Sequence, residues 1–181
     1  MEEFLVFLKA YFLESGLGLS VLGGMMAVAL GGIGSAQGIR IASGQAAGVM
    51  SEKPELFGKL VVLIALPGTQ GIYGLVTFIL MCAQIKLTGT AVNVSHLSGL
   101  AMLAIGVGSG VVYWRSAVYQ GETSAACINL VAKKPEEMGR AIILPVLVET
   151  YAVFAFLAAM LGMMWVAKQP ILELTTKVVA P

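Results

Sequence analysis

Four long apolar runs constrain this chain more than any other feature. Gly16–Ala36, Leu60–Ile85 and Leu87–Trp114 carry no charged residue, and Ala141–Ala167 carries one, Glu149. A helix of about 20 apolar residues spans a hydrocarbon core of about 30 Å. In lipid every backbone N–H and C=O must find an internal partner, which leaves helices or closed barrels. These runs lack the period-2 alternation of barrel strands. The sequence therefore predicts an all-α membrane protein with four transmembrane helices. The first and third are expected to continue as helix past the bilayer, to about Met50 and Ala132, because no breaker follows them.

Composition narrows the class further. Only 12% of the residues are charged and the mean hydropathy is +0.90, against roughly 25% charged residues in a soluble domain. A net charge of +1 lacks the basic surplus that nucleic acid demands, so no nucleic-acid partner is expected. Two cysteines make neither a disulfide scaffold nor a four-ligand zinc site. One histidine and no aspartate argue against a hydrolytic triad or a His/carboxylate metal cluster. His96 reads as an interfacial residue, and Asn93-Val94-Ser95 as a chance sequon.

Met1–Ser15 opens with Glu2 and Glu3 rather than a basic segment, so it reads as an interfacial helix with Phe4, Leu5, Leu8, Tyr11 and Phe12 on one side. The expected organisation is an extension over 1–15, a first helical hairpin over 16–85, a second over 86–167, and a polar tail over 168–181. The loops inside the hairpins hold Lys53, Lys59, Lys133, Lys134 and Arg140, while the opposite side holds Lys9, Lys86, Lys168 and Lys177. Positive-inside weighting puts both loops in the cytoplasm and both termini outside. Cys82 and Cys127 then lie near opposite ends of the membrane, too far apart to pair.

The two loops repeat each other. Lys53-Pro54-Glu55-x-x-Gly58-Lys59-x-Val61-Val62-Leu63 aligns without gaps with Lys134-Pro135-Glu136-x-x-Gly139-Arg140-x-Ile142-Ile143-Leu144. The chain thus reads as two tandem hairpins in parallel orientation, an arrangement that invites closure into a homo-oligomeric ring. Gly34/Gly38, Gly44/Gly48 and Gly106/Gly110 recur at i,i+4 on the first helix of each hairpin, where small residues let backbones approach closely. Packing within one bundle is the plainer account of them; their concentration on two helices favours a crowded inner ring.

Counting from the loop prolines locates one polar layer. Glu149 is 14 residues after Pro135, Gln120 15 before it, Gln70 16 after Pro54 and Gln37 17 before it. At 1.5 Å per residue all lie roughly 21–26 Å from the turns, near mid-bilayer. A charge there costs about 2.5–3.5 kcal/mol to insert, so Glu149 is the candidate ion-carrying carboxylate. Pro145, one turn earlier, frees the Ala141 carbonyl and bends the helix. The segment Leu66-Pro67-Gly68-Thr69-Gln70-Gly71 brings a freed carbonyl and side-chain oxygens to the same depth, with Tyr73 placed to hydrogen-bond the carboxylate. Oxygen ligands with a single carboxylate suit a hard monovalent cation. The extra oxygens favour Na+, and a carrier of H+ would need the Glu alone.

With these motifs the sequence resembles the membrane rotor proteolipid of V-type ATPases, the c or K subunit, in its duplicated, four-helix, sodium-translocating bacterial form. The likeness rests on Gly32-Ile33-Gly34-Ser35-Ala36, on Leu66-Pro67-Gly68-Thr69-Gln70-Gly71-x-Tyr73-Gly74, on Ala132-Lys133-Lys134-Pro135-Glu136 and on Val148-Glu149-Thr150-Tyr151-Ala152, over residues 16–167. It implies a homo-oligomeric ring in a prokaryotic plasma membrane, surrounded by lipid and turning against a stator subunit that supplies an Arg. It also implies that the loops Lys53–Glu55 and Lys133–Glu136 seat on the central stalk. The ion ligands it implies are Leu66 through its carbonyl, Thr69, Gln70, Gln120 and Glu149, with Tyr73 in support. Val111–Val118, with Trp114 and Arg115, departs from the family's pattern and reads as an insertion before Gln120.

Arg40 and Glu122 lie at one depth on the glycine-bearing helices, 14 residues before Pro54 and 13 before Pro135, and are expected to form an inner-ring ion pair. No G-x-x-x-x-G-K-[ST] occurs, so the chain is expected to be no enzyme on its own and to need no cofactor beyond the transported ion. The reading is reversible Na+ binding at Glu149 coupled to ring rotation. Its rivals are an H+-translocating ring and, from another class, a small secondary cation transporter. One carboxylate per four helices moves fewer ions per turn than a ring of two-helix subunits, which favours pumping driven by ATP hydrolysis.

Overall fold

The computed structural model describes residues 1–9, 15–85 and 94–168, and all of its regular elements are helical. A short α1 (Glu2–Leu8) precedes α2 (Leu17–Glu52), α3 (Phe57–Ala65), α4 (Thr69–Gln84), α5 (His96–Lys133), α6 (Met138–Ala141) and α7 (Ile143–Lys168). Four helical stretches are long and apolar enough to cross a membrane: Leu17–Glu52, Pro54–Gln84, His96–Lys133 and Pro135–Lys168. Tyr11, Phe12, Lys86, Asn93, Lys177 and the tail beyond Lys168 lie outside the described residues, so the amphipathic stripe of the extension is seen only at Phe4 and Leu5, both exposed.

The helices α2 and α5 are unbroken, at 36 and 38 residues, or roughly 54 and 57 Å. They exceed the hydrocarbon core and end at Glu52 and Lys133, two residues and one residue beyond the expected limits. Ser95 caps α5, its hydroxyl accepting the Ser98 N–H at 3.1 Å. Both helices stop where a proline restricts the residue before it: Lys53 has φ −135° and ψ 69°, Lys134 φ −138° and ψ 80°. A 3-10 turn follows each, Pro54–Leu56 and Pro135–Glu137, with the proline in first position. The sequence duplication is thus a duplication of backbone conformation. The two loops also hold each other. Lys53 Nζ donates to the Ala132 carbonyl at 2.7 Å, setting a cation against a carbonyl of the last turn of α5, and Lys59 Nζ donates to the carbonyl of Pro135 in the loop at 3.0 Å.

α2 and α5 run side by side in the same direction at backbone contact. Gly16 packs on Gly99, Gly23 on Gly106, and Gly38 on Gly121, all in one constant register. A Cβ at Gly106 would overlap the Gly23 carbonyl, and one at Gly23 would stand 2.7 Å from the Leu103 Cα. Dispersion between close backbones is what binds such helices in lipid, where apolar side chains gain nothing by leaving one apolar medium for another. Gly34, Gly38, Gly106 and Gly110 serve this seam. Gly44 and Gly48, expected to do the same, have open space where a Cβ would stand, with nothing within 4 Å.

The outer layer is α3–α4 and α6–α7. Their outward faces leave Ile72, Ile79, Leu147, Phe154, Leu161 and Trp165 more than half exposed, a lipid-facing surface rather than a water-facing one. One apolar cluster (Leu60, Leu63, Ile128, Val131) fills the loop end of the bundle and another (Met81, Met102, Met163, Val166) the far end. Cys82 and Cys127 are free thiols. Gly106→Ala is expected to lower the stability of detergent-purified protein by about 1–3 kcal/mol, the usual cost of overpacking. Gly58→Ala, in open space on a helix, is expected to leave it unchanged or raise it by up to about 1 kcal/mol. Thermal unfolding followed by circular dichroism reads both.

Candidate functional site

Between the two apolar clusters lies a polar layer whose position follows from a broken helix. Pro67 has no N–H and a fixed φ, so α3 cannot pass into α4 as α-helix, and Leu66–Gly68 tightens to a 3-10 turn. The Thr69 N–H and its hydroxyl both turn back to the Leu66 carbonyl, the hydroxyl at 3.2 Å. α2 supplies the bed for this turn: a Cβ at Gly38 would stand 2.6 Å from Pro67 Cβ, and one at Gly31 2.7 Å from the Gln70 carbonyl. Ser35 of α2 accepts the Gly71 N–H at 2.8 Å. The other outer helical stretch is interrupted between α6 and α7. The helix breaks at Ile142, where the Pro145 ring bars the carbonyl of Ala141 from its usual bond.

From this turn a single run of hydrogen bonds crosses three helices. Thr69 Oγ1 lies 3.3 Å from Gln70 Oε1, and Gln70 Nε2 donates to Gln120 Oε1 at 2.6 Å. Gln120 Nε2 donates to Glu149 Oε2 at 3.2 Å, and the Tyr73 hydroxyl to Glu149 Oε1 at 2.6 Å. Each carboxylate oxygen therefore has its own donor. Gln70 and Gln120 are fully buried and Glu149 is half-buried. Tyr73 is held in turn by its ring, stacked on Phe156 at 5.7 Å and tilted against Tyr113 at 6.2 Å. Leu66, Thr69, Gln70, Tyr73, Gln120 and Glu149 are thus brought together as one cluster of oxygen donors around a carboxylate.

Two residues belong to this layer that a count of depth does not pick out. Ser116 receives Gln70 Nε2 at 3.4 Å and donates to the Val148 carbonyl at 3.2 Å, tying α5 to α4 and α7. Its position four residues before Gln120, on the same helix face, is the signal for it in the sequence. Tyr113 pairs its hydroxyl with Thr77 at 3.0 Å beside the cluster.

Gln37 shares the depth of the cluster but not its location. It accepts the Trp114 indole N–H at 2.8 Å on another side of α2, about 200° around from Ser35, which faces α4. Val111–Val118 is no interruption. α5 is continuous, and the register of Gly106 on Gly23 persists at Gly121 on Gly38, so α2 and α5 stay in step past Gln120. Arg115 lies exposed with its guanidinium 4.7 Å over the Tyr119 ring and bonded to that hydroxyl. Arg40 and Glu122 do not pair with each other within the chain, and both are exposed. They are at one depth as expected, but each points away from the helix that carries the other.

Gln120→Leu would strip Glu149 of one donor and leave the buried Gln70 amide short of its main acceptor. At about 1–3 kcal/mol per unsatisfied buried group, a loss of at least about 2 kcal/mol in detergent-solubilised protein is expected. Gln37→Leu gives up one half-buried bond and is expected to cost about 1 kcal/mol. Parallel denaturation curves compare the two.

The comparisons with known proteins agree with this architecture. The family model for the C subunit of ATP synthase matches twice, over residues 22–81 and 98–162, once in each half of the chain. The V-type sodium ATPase subunit K of Enterococcus hirae is 35% identical over 148 residues, 82% of this chain and 92% of that protein. The A-type ATP synthase subunit K of Methanocaldococcus jannaschii is 35% identical over 150 residues, 83% of this chain but 64% of the archaeal protein, so this chain spans less than two thirds of that relative. With its two tandem repeats, unbroken inner helices and proline-broken outer ones, the chain belongs to the ATP synthase C-subunit family, the membrane rotor proteolipids of rotary ATPases.

Proposed function

We propose that this rotor protein transports Na+ across the membrane, with Glu149 as the ion-carrying carboxylate. The Leu66 carbonyl, Thr69, Gln70 and Gln120 complete the ligand set, and Tyr73 holds the carboxylate in place. The observation that carries the reading is the unbroken run of contacts from the Leu66 carbonyl through Thr69, Gln70 and Gln120 to Glu149. A proton carrier needs one carboxyl; a run of oxygens from three helices suits a hard cation shedding its water. The name of the Enterococcus hirae relative, a sodium ATPase subunit, supports the same ion.

In this reading, loading neutralises Glu149 and removes most of the cost, about 2.5–3.5 kcal/mol, of turning a carboxylate toward lipid. A fixed arginine on the stator displaces the ion and holds the emptied carboxylate until the next ion arrives. Each charge crossing 100 mV is worth about 2.3 kcal/mol, so several steps are summed for each ATP. The loops Lys53–Glu55 and Lys133–Glu136 face the cytoplasm of a prokaryotic cell and seat on the central stalk. The termini lie on the outer side of the plasma membrane.

Carbodiimide labelling of Glu149 in detergent-purified protein, with and without sodium at fixed pH, tests the proposal, because the reagent needs the protonated carboxyl. Protection by millimolar sodium is expected, and labelling that follows pH alone would show a proton rotor. Gln70→Leu is expected to raise the sodium needed for half-protection about tenfold or more, the loss of one charge-assisted contact.

A further inference from the structure

Neither Arg40 nor Glu122 has an ion-pair partner among the described residues of the chain, and both are exposed. On α2 the side packed against α5 is marked by Gly16, Gly23, Gly34 and Gly38; on α5 the side packed against α2 is marked by Gly99, Gly106, Ala117 and Gly121. At about 100° per residue, Arg40 lies about 125° around α2 from that seam and Glu122 about 135° around α5, in opposite rotational senses. Both therefore emerge on the same side of the α2–α5 pair, splayed apart. It is the side opposite α4 and α7, since Gly31 and Ser35 meet α4, and Ser116 and Gln120 meet α7. Their heights agree. Gly38 rests on Gly121, so Arg40 and Glu122 lie about 3 Å and about 1.5 Å beyond one shared level.

We propose that Arg40 of one copy forms an ion pair with Glu122 of the next, across the junction where α5 of one subunit meets α2 of its neighbour. The inference rests on the ring reading. If copies repeat in a row with α4 and α7 outward, Glu122 leans toward the next subunit's α2 and Arg40 of that subunit leans back at the same height. The facing surfaces are also complementary in size. In the register set by Gly23 on Gly106, the exposed Gly108 of α5 is level with the exposed Met25 of α2, and Arg115 is level with Gly32. A small residue thus faces a large one at each of these levels. The partner is a second copy because the pair is self-supplied: every subunit brings one basic and one acidic group, each on the side the other needs. Closing the ring then matches both charges at membrane depth, where an unpaired charge is costly.

The test uses the full chain, with Cys82 and Cys127 replaced by alanine, purified in mild detergent. Arg40→Cys and Glu122→Cys are combined in one chain and treated with a short bifunctional thiol reagent. A ladder of covalent multimers on denaturing gels is expected. Cross-links confined to single chains would overturn the proposal, as would failure to cross-link although both thiols react with a monofunctional reagent. Charge reversal gives a second readout. Arg40→Glu or Glu122→Arg alone is expected to lower the fraction migrating as a ring about tenfold, since like charges then meet at the junction. R40E/E122R is expected to restore it to within about twofold. Single reversals without effect, or a double variant no better than either, would mean that the two groups face water or lipid headgroups in the ring's interior. Wild-type protein that itself migrates as a monomer would instead sink the ring reading on which the pair depends.

Discussion

The close approach of α2 and α5 backbones underlies everything else in this molecule. Gly23 on Gly106 and Gly38 on Gly121 bring the main chains into contact along the seam. Lipid supplies no hydrophobic drive to assemble helices, so the attraction must come from many short contacts that larger side chains would prevent. The seam also sets heights. Gly38 touches both α5 and Pro67, so one residue brings the broken turn of the outer layer to the level of Gln120. A slip of one helical turn along the seam would separate Gln120 from Gln70.

Polar groups at this depth are tolerable because they satisfy one another. Two prolines open the outer helices that bring Leu66, Thr69, Gln70 and Glu149, and nearby backbone groups are paired by Thr69, Ser35 and Ser116. The buried amides act as two-faced connectors, each using its donor and its acceptor, and the run ends on a carboxylate with a donor for each oxygen. Tyr73 carries both roles of its side chain, an apolar ring stacked on Phe156 and a hydroxyl aimed at Glu149. The duplication supplies the frame for this asymmetry. Two near-identical loops and turns position two hairpins, yet only the second brings a carboxylate, while the first brings Thr69 and Gln70 to meet it.

Most of the architecture was legible because the membrane allows so few solutions. Uncharged runs of more than about 20 residues in lipid have to be helices. The matching Lys-Pro-Glu loops carry the same backbone turn because proline dictates the residue before it. The depth of Glu149, Gln70 and Gln120 was countable from those prolines, since helix rise is constant. Depth, however, is one coordinate of three. Gln37 sits at the right height and takes part in a different bond, with Trp114, because its rotation about α2 depends on which side of that helix the outer layer occupies. Val111–Val118 departs from the family's pattern in residue type, yet α5 runs through it unbroken and the glycine register on either side of it is the same.

The sequence by itself determined the helices, their breaks, the heights of their polar residues along the bundle and the chemical nature of those groups, because each depends only on local backbone chemistry and a constant rise per residue. The tertiary structure alone decided which of those groups meet. Rotation of each helix about its axis is set by the contacts of all its neighbours at once. That is why Ser116 joined the cluster and Gln37 did not, and why Arg40 and Glu122, level with each other, do not meet within the chain.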